Sequence, residues 1–364
     1  MTEPSSPDAS PERYDPTAHD YDAVLVVSFG GPEGPDDVMP FLENVLEGLK
    51  LPPQAVKGIA RRYQRFGGVS PINAHTRDLI AALEAELAAH SINLPVYWGN
   101  RNWHPFLNDT LAQMHADGIE RAIAYITSTF GSYSGCRRYR EDLYTATVNI
   151  ERPPIIDKLR LGYNHPGFVQ AMAERVRDAL ATVPAERREL APLVFTAHSL
   201  PVSMAQHAPY EAQLTESAQL VTAALGRTHW ELAYQSNNAS YGEPWLEPRI
   251  EDVLVEKGKQ GTTDVVVAPI GFVCDHMEVV LDLDVEAKQA AADAGVNLVR
   301  AGTVGSHPSY VAMIRELIEE RMDASAKRRA LGRFGPSHDF CAVNCCLSGR
   351  PGEPKPSLCG VAAG

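Results

Sequence analysis

Three carboxylates at helical spacing follow a short apolar run, and they are the residues of this chain best suited to chemistry. Glu278, Asp282 and Glu286 are each four residues apart, and side chains at i, i+4 and i+8 lie above one another on one helix face. Like charges in such a column repel unless they project into water or into a site that handles protons or a cation. The pattern therefore indicates either a solvated helix face or a functional column.

The elements that precede these residues predict where they lie. Residues 264–270 are apolar and β-branched, which is typical of a strand buried on both faces of a parallel sheet. Residues 193–197 form a similar run that leads into His198. Because the carboxyl ends of parallel strands border the ligand crevice of open α/β sheets, we expect His198 and Glu278 to face one pocket. A core histidine bonded to the backbone is the alternative for His198 alone.

Length, composition and charge bound the classes of function. The 364 residues are 44% hydrophobic and 22% charged, which is enough for two domains of roughly 150 residues. A net charge of -13 disfavours a nucleic-acid footprint and is easier to reconcile with a cationic ligand. No apolar run approaches the roughly 20 residues of a membrane span, and residues 1–20 lack the apolar core of a signal peptide. We expect a cytoplasmic protein.

Strand-like and helix-like segments alternate along most of the chain. The strand-like runs cover residues 23–27, 122–126, 193–197, 231–235, 265–270 and 296–300, and the amphipathic segments cover residues 36–48, 76–89, 167–182 and 307–322. This alternation predicts an α/β fold with two similar doubly wound domains built on parallel sheets. The predicted organisation is a disordered tail at 1–19, α/β domains at 20–162 and 163–322, and a cysteine-rich tail at 323–364.

Glycine-rich turns mark two further positions. The cluster around Gly30, Gly31 and Gly34 follows the first strand but matches neither a dinucleotide fingerprint nor a phosphate-binding loop, so no nucleotide cofactor is expected. Ser70 follows Gly67 and Gly68 just before a predicted helix, where its hydroxyl can cap that helix or bind an anionic ligand.

Six cysteines in a chain expected to be cytoplasmic are an unlikely disulfide framework. The C-terminal tail holds Cys341, Cys345, Cys346 and Cys359. Cys136 lies just beyond a predicted strand and can add a ligand from the folded body, whereas Cys274 is expected to be buried and inert. Four thiolates suit an iron-sulfur cluster or zinc, and unrelated free thiols are the alternative.

Several motifs make the chain similar to a known family. They are Phe-Thr-Ala-His-Ser-Leu-Pro at 195–201, Gly-Phe-Val-Cys-Asp-His-Met-Glu at 271–278, Phe-Gly-Gly-Val-Ser-Pro at 66–71, Tyr-Gln-Ser at 234–236 and Glu-Pro-Trp-Leu at 243–246. Over residues 21–322 the chain resembles ferrochelatases, in particular the actinobacterial type that inserts iron into coproporphyrin III. The resemblance implies a lyase with a two-domain chelatase fold, a porphyrin cleft between the domains and no nucleotide cofactor.

The resemblance also implies roles for individual residues. His198 and Glu278 match the pair that binds ferrous iron and handles protons, and Ser70 and Tyr139 match porphyrin-contacting positions. Phe29 stands where many members have a tyrosine that ligates iron, so that ligation is expected to be absent.

Relatives that carry a two-iron two-sulfur (2Fe-2S) cluster bind it through one internal and three C-terminal cysteines. The internal position matches Cys136. Closing the shortest tail segment favours Cys341, Cys345 and Cys346, with Cys359 as the alternative, because a shorter loop costs less ordering entropy.

The chemistry of metalation suits the same residues. Inserting iron removes two protons from pyrrole nitrogens, and a neutral histidine such as His198 can accept a proton or bind iron. Asp282 and Glu286 can relay protons or iron toward it. The expected substrates are coproporphyrin III and ferrous iron, and neighbouring haem-synthesis enzymes are possible partners. Protoporphyrin IX as substrate, or a noncatalytic tetrapyrrole or iron carrier with a redox-sensing cluster, are the alternatives.

Overall fold

Two four-stranded parallel sheets form the framework of the protein. The computed structural model describes residues 18–48, 51–148, 150–237 and 242–359. The strands are β1 (Ala23–Ser28), β2 (Val96–Asn100), β3 (Arg121–Ile126), β4 (Ile155–Lys158), β5 (Leu193–His198), β6 (Glu231–Gln235), β7 (Asp264–Ala268) and β8 (Asn297–Arg300). The first sheet has the order β2-β1-β3-β4 and the second β6-β5-β7-β8, with every pair parallel. Two parallel sheets with interleaved helices confirm the predicted fold class.

Helices connect the strands and cover the sheets. The α-helices are α1 (Val38–Val45), α2 (Pro53–Gln64), α3 (Ile72–Ala89), α4 (Leu107–Ala116), α5 (Arg138–Thr147), α6 (Pro166–Thr182), α7 (Ala185–Arg188), α8 (Val202–Ala205), α9 (Tyr210–Ala224), α10 (Ile250–Lys259), α11 (Met277–Val279), α12 (Lys288–Asp293) and α13 (Pro308–Met322). A 3₁₀ turn spans Pro35–Asp37, and π-helices span Tyr133–Arg137 and Val280–Ala287. None of the helices within the described residues is both long and apolar enough to cross a bilayer.

The central strands are mainly apolar because helices cover both faces of each sheet. All six residues of β1 and all five of β7 are buried, as expected for interior strands of parallel sheets. The sequence analysis missed β2 and β4, which are the edges of the first sheet. An edge strand packs on one side only, and these two carry half-buried or polar residues that weaken the apolar signal.

One helix ties the two halves together. The C-terminal α13 packs against α3 of the first half and α6 of the second. The largest apolar cluster accordingly contains residues of both halves, including Tyr125, Phe168 and Phe195. The domain division near residue 162 stays a prediction. The predicted disordered tail lies outside the described residues except for Ala18 and His19.

The helix that carries the carboxylate column differs from the expected form. After a single turn of α11, the chain continues as the π-helix Val280–Ala287 before α12 begins. Hydrogen bonds in a π-helix run from i to i+5, so each turn holds more residues than an α-turn, and such segments occur often at functional sites. Within this segment Asp282 is buried, whereas Glu278 and Glu286 are exposed, so the three carboxylates have different environments.

Candidate active site

His198 is the last residue of β5, and neighbouring segments hold it in place. The Tyr210 hydroxyl donates to the His198 carbonyl at 3.0 Å, and the Ser199 hydroxyl donates to the Leu246 carbonyl at 2.8 Å. The Trp245 ring lies 6.5 Å from the imidazole, measured between ring centroids. The histidine thus stands at the carboxyl edge of the second sheet on a loop fixed by backbone contacts.

The two imidazole nitrogens of His198 have different partners. Nδ1 contacts the carbonyl oxygen of Ser199, and because a carbonyl can only accept, Nδ1 carries the hydrogen. In neutral imidazole this leaves a lone pair on Nε2, which faces Glu278 Oε2 at 3.8 Å. The side chains of His198 and Glu278 are 33% and 52% exposed, so a ligand can reach both. A free nitrogen lone pair opposite a carboxylate can bind a cation or accept a proton.

A close backbone approach brings the loop after β7 against β5. The Gly271 amide donates to the Thr196 carbonyl at 3.0 Å, and a Cβ at position 271 would lie 2.6 Å from the Ala197 Cβ. Only glycine fits this crossing. The loop it starts leads to His276 and Glu278, so the contact sets the separation of Glu278 from His198.

The carboxylate of Glu278 lies between side chains of both halves of the chain. His276 Nδ1 is 4.0 Å from Glu278 Oε2, and burial lowers the pKa of His276. Burial raises the pKa of Tyr63 well above its usual range, and the negative charge of Glu278 acts in the same direction. Tyr63 belongs to α2 in the first half, so the charge of Glu278 acts on a side chain of that half. The sequence analysis assigned no role to either neighbour: His276 stands two residues before Glu278 within a motif already quoted, whereas Tyr63 is distant in sequence.

Asp282 is the buried member of the carboxylate column. Its side chain is 6% exposed and accepts a hydrogen bond from the Ser236 hydroxyl at the end of β6. Burial raises the pKa of Asp282 to about 6, the Ser236 hydrogen bond lowers it, and the charges of Glu278 and Glu286 raise it. Glu286 itself is exposed. Asp282 can therefore exchange a proton near neutral pH, whereas Glu286 lies at the solvent end.

Arg300, the last residue of β8, holds in place the helical segment that carries Glu278, Asp282 and Glu286. Its guanidinium makes two hydrogen bonds to the Asp275 carboxylate, at 3.1 and 2.9 Å, and one to Asp284 at 2.7 Å. Asp275 precedes the helix and Asp284 lies within its π segment. A bidentate arginine of this kind fixes geometry as well as charge, so Arg300 is a positioning residue that sequence spacing did not reveal.

Ser70 lies where the two halves meet. Its hydroxyl accepts from the Met277 amide at 3.3 Å, and it does not cap α3, which begins after Pro71. A Cβ on Gly31 would lie 2.7 Å from the Ser70 Cβ, so glycine there lets the turn after β1 pack against the serine. Ser70 thus lies at the first turn of the helix that carries Glu278.

Phe29 and Tyr139 lie on the first half and share one cation. Arg101 stacks on both rings, with its guanidinium carbon 5.6 Å from the Phe29 centroid and 4.7 Å from that of Tyr139. Tyr139 is only 5% exposed and packs in the apolar cluster beneath the first sheet. Its phenol offers a ligand little surface in this conformation.

Most of the cysteines lie together and form a second group of chemically reactive residues. Cys341 contacts the thiols of Cys136, Cys345 and Cys359, and Cys346 Sγ lies 3.6 Å from Cys345 Sγ. His338, Cys341 and Cys345 place ligand atoms within 4.8 Å of one another. Cys274 is buried apart from them, and burial raises its pKa to about 12, as expected for an inert thiol. The structure therefore brings Cys136 of the body together with the tail.

Buried cations surround this thiol group. Arg140 and Lys158 are 0% and 4% exposed, and the charges that raise their pKa belong to cysteine thiols, Cys341 and Cys359 first. Nη1 of Arg140 is buried without a hydrogen-bond partner among the described residues. Buried cations are costly unless an anion compensates them. A metal group held by four thiolates is anionic, so the donor set and its surroundings fit such a group.

Comparisons with known proteins agree with this geometry. A family model described as ferrochelatase matches residues 21–322. A ferrochelatase of Rhodopirellula baltica is 49% identical over 329 residues, which cover 90% of this chain and 93% of that protein. A coproporphyrin III ferrochelatase of Frankia alni is 49% identical over 342 residues, which cover 90% of this chain and 87% of that protein.

Solved structures share the fold at low sequence identity. SirB from Bacillus subtilis with Fe3+ aligns with a TM-score of 0.51 and 14% identity, covering 83% of this chain and 98% of that one. At this identity the likeness concerns the fold alone, and it agrees with two parallel sheets joined by helices.

Proposed function

This chain belongs to the ferrochelatase family, and on that premise we propose that it inserts ferrous iron into coproporphyrin III to form the iron porphyrin in haem biosynthesis. The reaction replaces two pyrrole N–H protons by one Fe2+, so it needs a group that accepts protons and a route for the cation. The observation that carries the proposal is the pairing of His198 Nε2 with Glu278 Oε2 at 3.8 Å, with both side chains accessible to solvent.

We infer that His198 and Glu278 have different roles in metalation. The neutral imidazole offers the Nε2 lone pair to a pyrrole proton or to iron, while the half-exposed carboxylate attracts the cation. His276 lies close enough to add a second imidazole beside the same carboxylate. Imidazole and carboxylate are ligands that suit ferrous iron.

Asp282 and Glu286 form the proposed proton relay. With a pKa raised to about 6 by burial, the Asp282 carboxyl is poised to take up a proton near neutral pH and pass it on. Glu286 is exposed and lies four residues further toward solvent. Protons leaving the pyrroles would thus travel along the π-helix rather than through the porphyrin cleft.

Ser70 is the proposed anchor for the porphyrin on the first half. Its buried hydroxyl lies beside the amide at the start of the helix that carries Glu278, so a carboxylate bound there is held next to the metal-handling pair. Tyr139 would contact the porphyrin only after its ring becomes exposed, so its predicted contact rests on the resemblance alone.

We also propose that Cys136, Cys341 and Cys345 hold a 2Fe-2S cluster together with Cys359. The sequence argument favoured Cys346 as the fourth ligand, but Cys359 contacts Cys341 directly, and Arg140 faces the thiols of Cys341, Cys359, Cys136 and Cys345. Such a cluster supplies electron-transfer chemistry when bound.

Six free cysteines suit a reducing compartment, so we propose a cytoplasmic location. Contacts with neighbouring haem-synthesis enzymes stay a prediction.

The test is a substrate comparison under anaerobic conditions. Purified protein is incubated with ferrous iron and either coproporphyrin III or protoporphyrin IX, and the Soret band is followed. We expect rapid metalation of coproporphyrin III and slower metalation of protoporphyrin IX. The reverse preference would change the substrate, and tight porphyrin binding without metalation would make the protein a carrier.

A further inference from the structure

Two buried cations lie beside the thiols without a carboxylate partner. Arg140 of α5 is fully buried, and Lys158, the last residue of β4, is 4% exposed. Among the described residues no ion pair joins either of them to a carboxylate, whereas the buried Arg137 nearby pairs with Glu141 at 3.0 Å. Two cations that have lost their hydration and repel each other are costly unless an anion lies close to both. Arg140 and Lys158 are called the cationic pair.

The cationic pair lies on the body side of the thiol group. Cys136 and Lys158 line one small cavity, and Arg140 follows Cys136 by four residues, in the first turn of α5. Burial lowers the pKa of Lys158, but the negative charges of the thiols, Cys341 and Cys359 first, outweigh burial and raise that pKa above its usual range. Lys158 therefore stays protonated at neutral pH although water is excluded from it.

Arg140 also holds the tail segment that carries Cys359. Its Nε donates to the Leu358 carbonyl at 2.9 Å and its Nη2 to the Ser357 hydroxyl at 3.0 Å, while the Leu358 amide donates to the Arg140 carbonyl at 3.1 Å. The remaining Nη1 is buried with no hydrogen-bond partner among the described residues. A buried donor without an acceptor is rare and calls for an explanation, and an anionic group at the thiols provides one.

The charge of the proposed cluster matches the cationic pair. The inference rests on the cluster proposed above, in which two ferric ions and two sulfides are held by four thiolates. These charges sum to minus two in the oxidised cluster, so one arginine and one lysine balance them. One added electron converts a ferric ion to a ferrous ion and makes the sum minus three, which strengthens the attraction to both cations. The cationic pair therefore stabilises the reduced form more than the oxidised form.

We propose that Arg140 and Lys158 raise the reduction potential of the cluster above the value that the same four thiolates would give without them. Net charge around an iron-sulfur cluster is one of the determinants of its potential. Because both cations are buried, salt screens them much less than it screens exposed charges. Both residues act by placing positive charge beside the cluster, and neither takes part in the reaction of the porphyrin.

The experiment measures the midpoint potential of the cluster in the full-length protein, without porphyrin or added iron. Lys158 is varied rather than Arg140, because Arg140 also anchors the tail. Lys158→Met removes the buried charge and keeps a long side chain, and Lys158→Arg restores the charge. Lys355→Gln is the control, because it removes the same charge from an exposed side chain four residues before Cys359. Titration with dithionite and redox mediators, followed by visible absorbance and by EPR of the reduced cluster, gives each midpoint at low and high salt.

We expect the cluster of Lys158→Met to be harder to reduce than that of the wild-type protein. At a given potential the ratio of reduced to oxidised cluster should fall about tenfold, which lowers the midpoint by about 59 mV for one electron. This shift should persist at high salt because the lost charge is buried. In Lys158→Arg and in Lys355→Gln the ratio should stay within about twofold of wild type, since the first keeps the charge and solvent screens the second.

An unchanged midpoint in Lys158→Met would overturn the role of the cationic pair, and so would an equal shift in Lys355→Gln. A midpoint of Lys158→Arg as low as that of Lys158→Met would also overturn it, because the effect would then be one of shape rather than of charge. If Lys158→Met folds but takes up no cluster, uptake by Lys158→Arg would support the same need for charge, and failure of both would contradict it. Wild-type protein without a cluster would remove the proposed cluster itself and leave the proposed metalation untouched.

Discussion

Replacing Asp282 by asparagine should stabilise the protein while slowing its reaction. The buried carboxylate has a pKa raised from 3.8 to about 6, mainly because burial removes water from the charged form. Ionising it inside the protein therefore costs free energy at neutral pH. Asparagine keeps an oxygen that can accept from the Ser236 hydroxyl, but it has no charge to bury.

The magnitude and its sign follow from proton linkage. Below pH 3.8 the carboxyl is protonated in both the folded and unfolded states and contributes nothing. Between pH 3.8 and about 6 the folded state keeps its proton while the unfolded state loses it, so wild-type stability falls as pH rises. Above that range the full penalty of about 3 kcal/mol applies, the free-energy equivalent of raising the pKa from 3.8 to about 6. At pH 5, within this range, the penalty is about half as large.

Urea unfolding of the wild-type protein and Asp282→Asn at pH 5 and pH 8 measures the effect. The gain in unfolding free energy should be larger at pH 8 than at pH 5 by about 1 kcal/mol, and taking this difference cancels any constant effect of the amide. Glu286→Gln is the control, because an exposed carboxylate loses little hydration on folding. Turnover of Asp282→Asn should fall, since the amide cannot accept a proton. A pH-independent stability change together with normal turnover would refute both the buried charge and the relay.

Three further predictions concern the site and the tail. Glu278→Gln should reduce metalation at least tenfold with porphyrin affinity retained, as judged by titration and Soret kinetics, because the amide attracts iron weakly; unchanged turnover would contradict its role. Arg300→Met should lower the unfolding free energy by about 3 kcal/mol or more, because it strands two partly buried aspartates, and an unchanged urea midpoint would contradict that. Purified protein should be reddish with about two irons and two acid-labile sulfides per chain. Cys136→Ser should lose this colour and Cys346→Ser should keep it, whereas colourless protein with stoichiometric zinc would contradict the cluster.

The sequence predicted the parts of the fold that rest on strong local patterns. The mainly apolar β5 and β7 are recognisable from sequence alone, and their carboxyl ends led to the expectation that His198 and Glu278 lie close together, which the structure confirms. The edge strands β2 and β4 escaped notice because packing on one side leaves a mixed pattern.

Other features of the site depend on tertiary contacts that no local pattern encodes. The π-helix at Val280–Ala287 has the same spacing of carboxylates as an α-helix, so sequence alone predicted one common face where the structure buries Asp282 and exposes Glu286. Arg300 reaches two aspartates from a different strand. The choice between Cys346 and Cys359 likewise depends on how the tail folds over Arg140, whereas loop length had favoured Cys346.

A single-turnover experiment tests the central claim about His198 most directly. Coproporphyrin III is bound to the wild-type protein and to His198→Ala, ferrous iron is added anaerobically, and the Soret shift is followed in time. The wild-type protein should metalate the bound porphyrin, whereas His198→Ala should bind it with similar affinity and metalate it at least a hundredfold more slowly, within the usual contribution of a positioned base. Metalation by His198→Ala at the wild-type rate would contradict the account, because it would remove the Nε2 lone pair from the reaction.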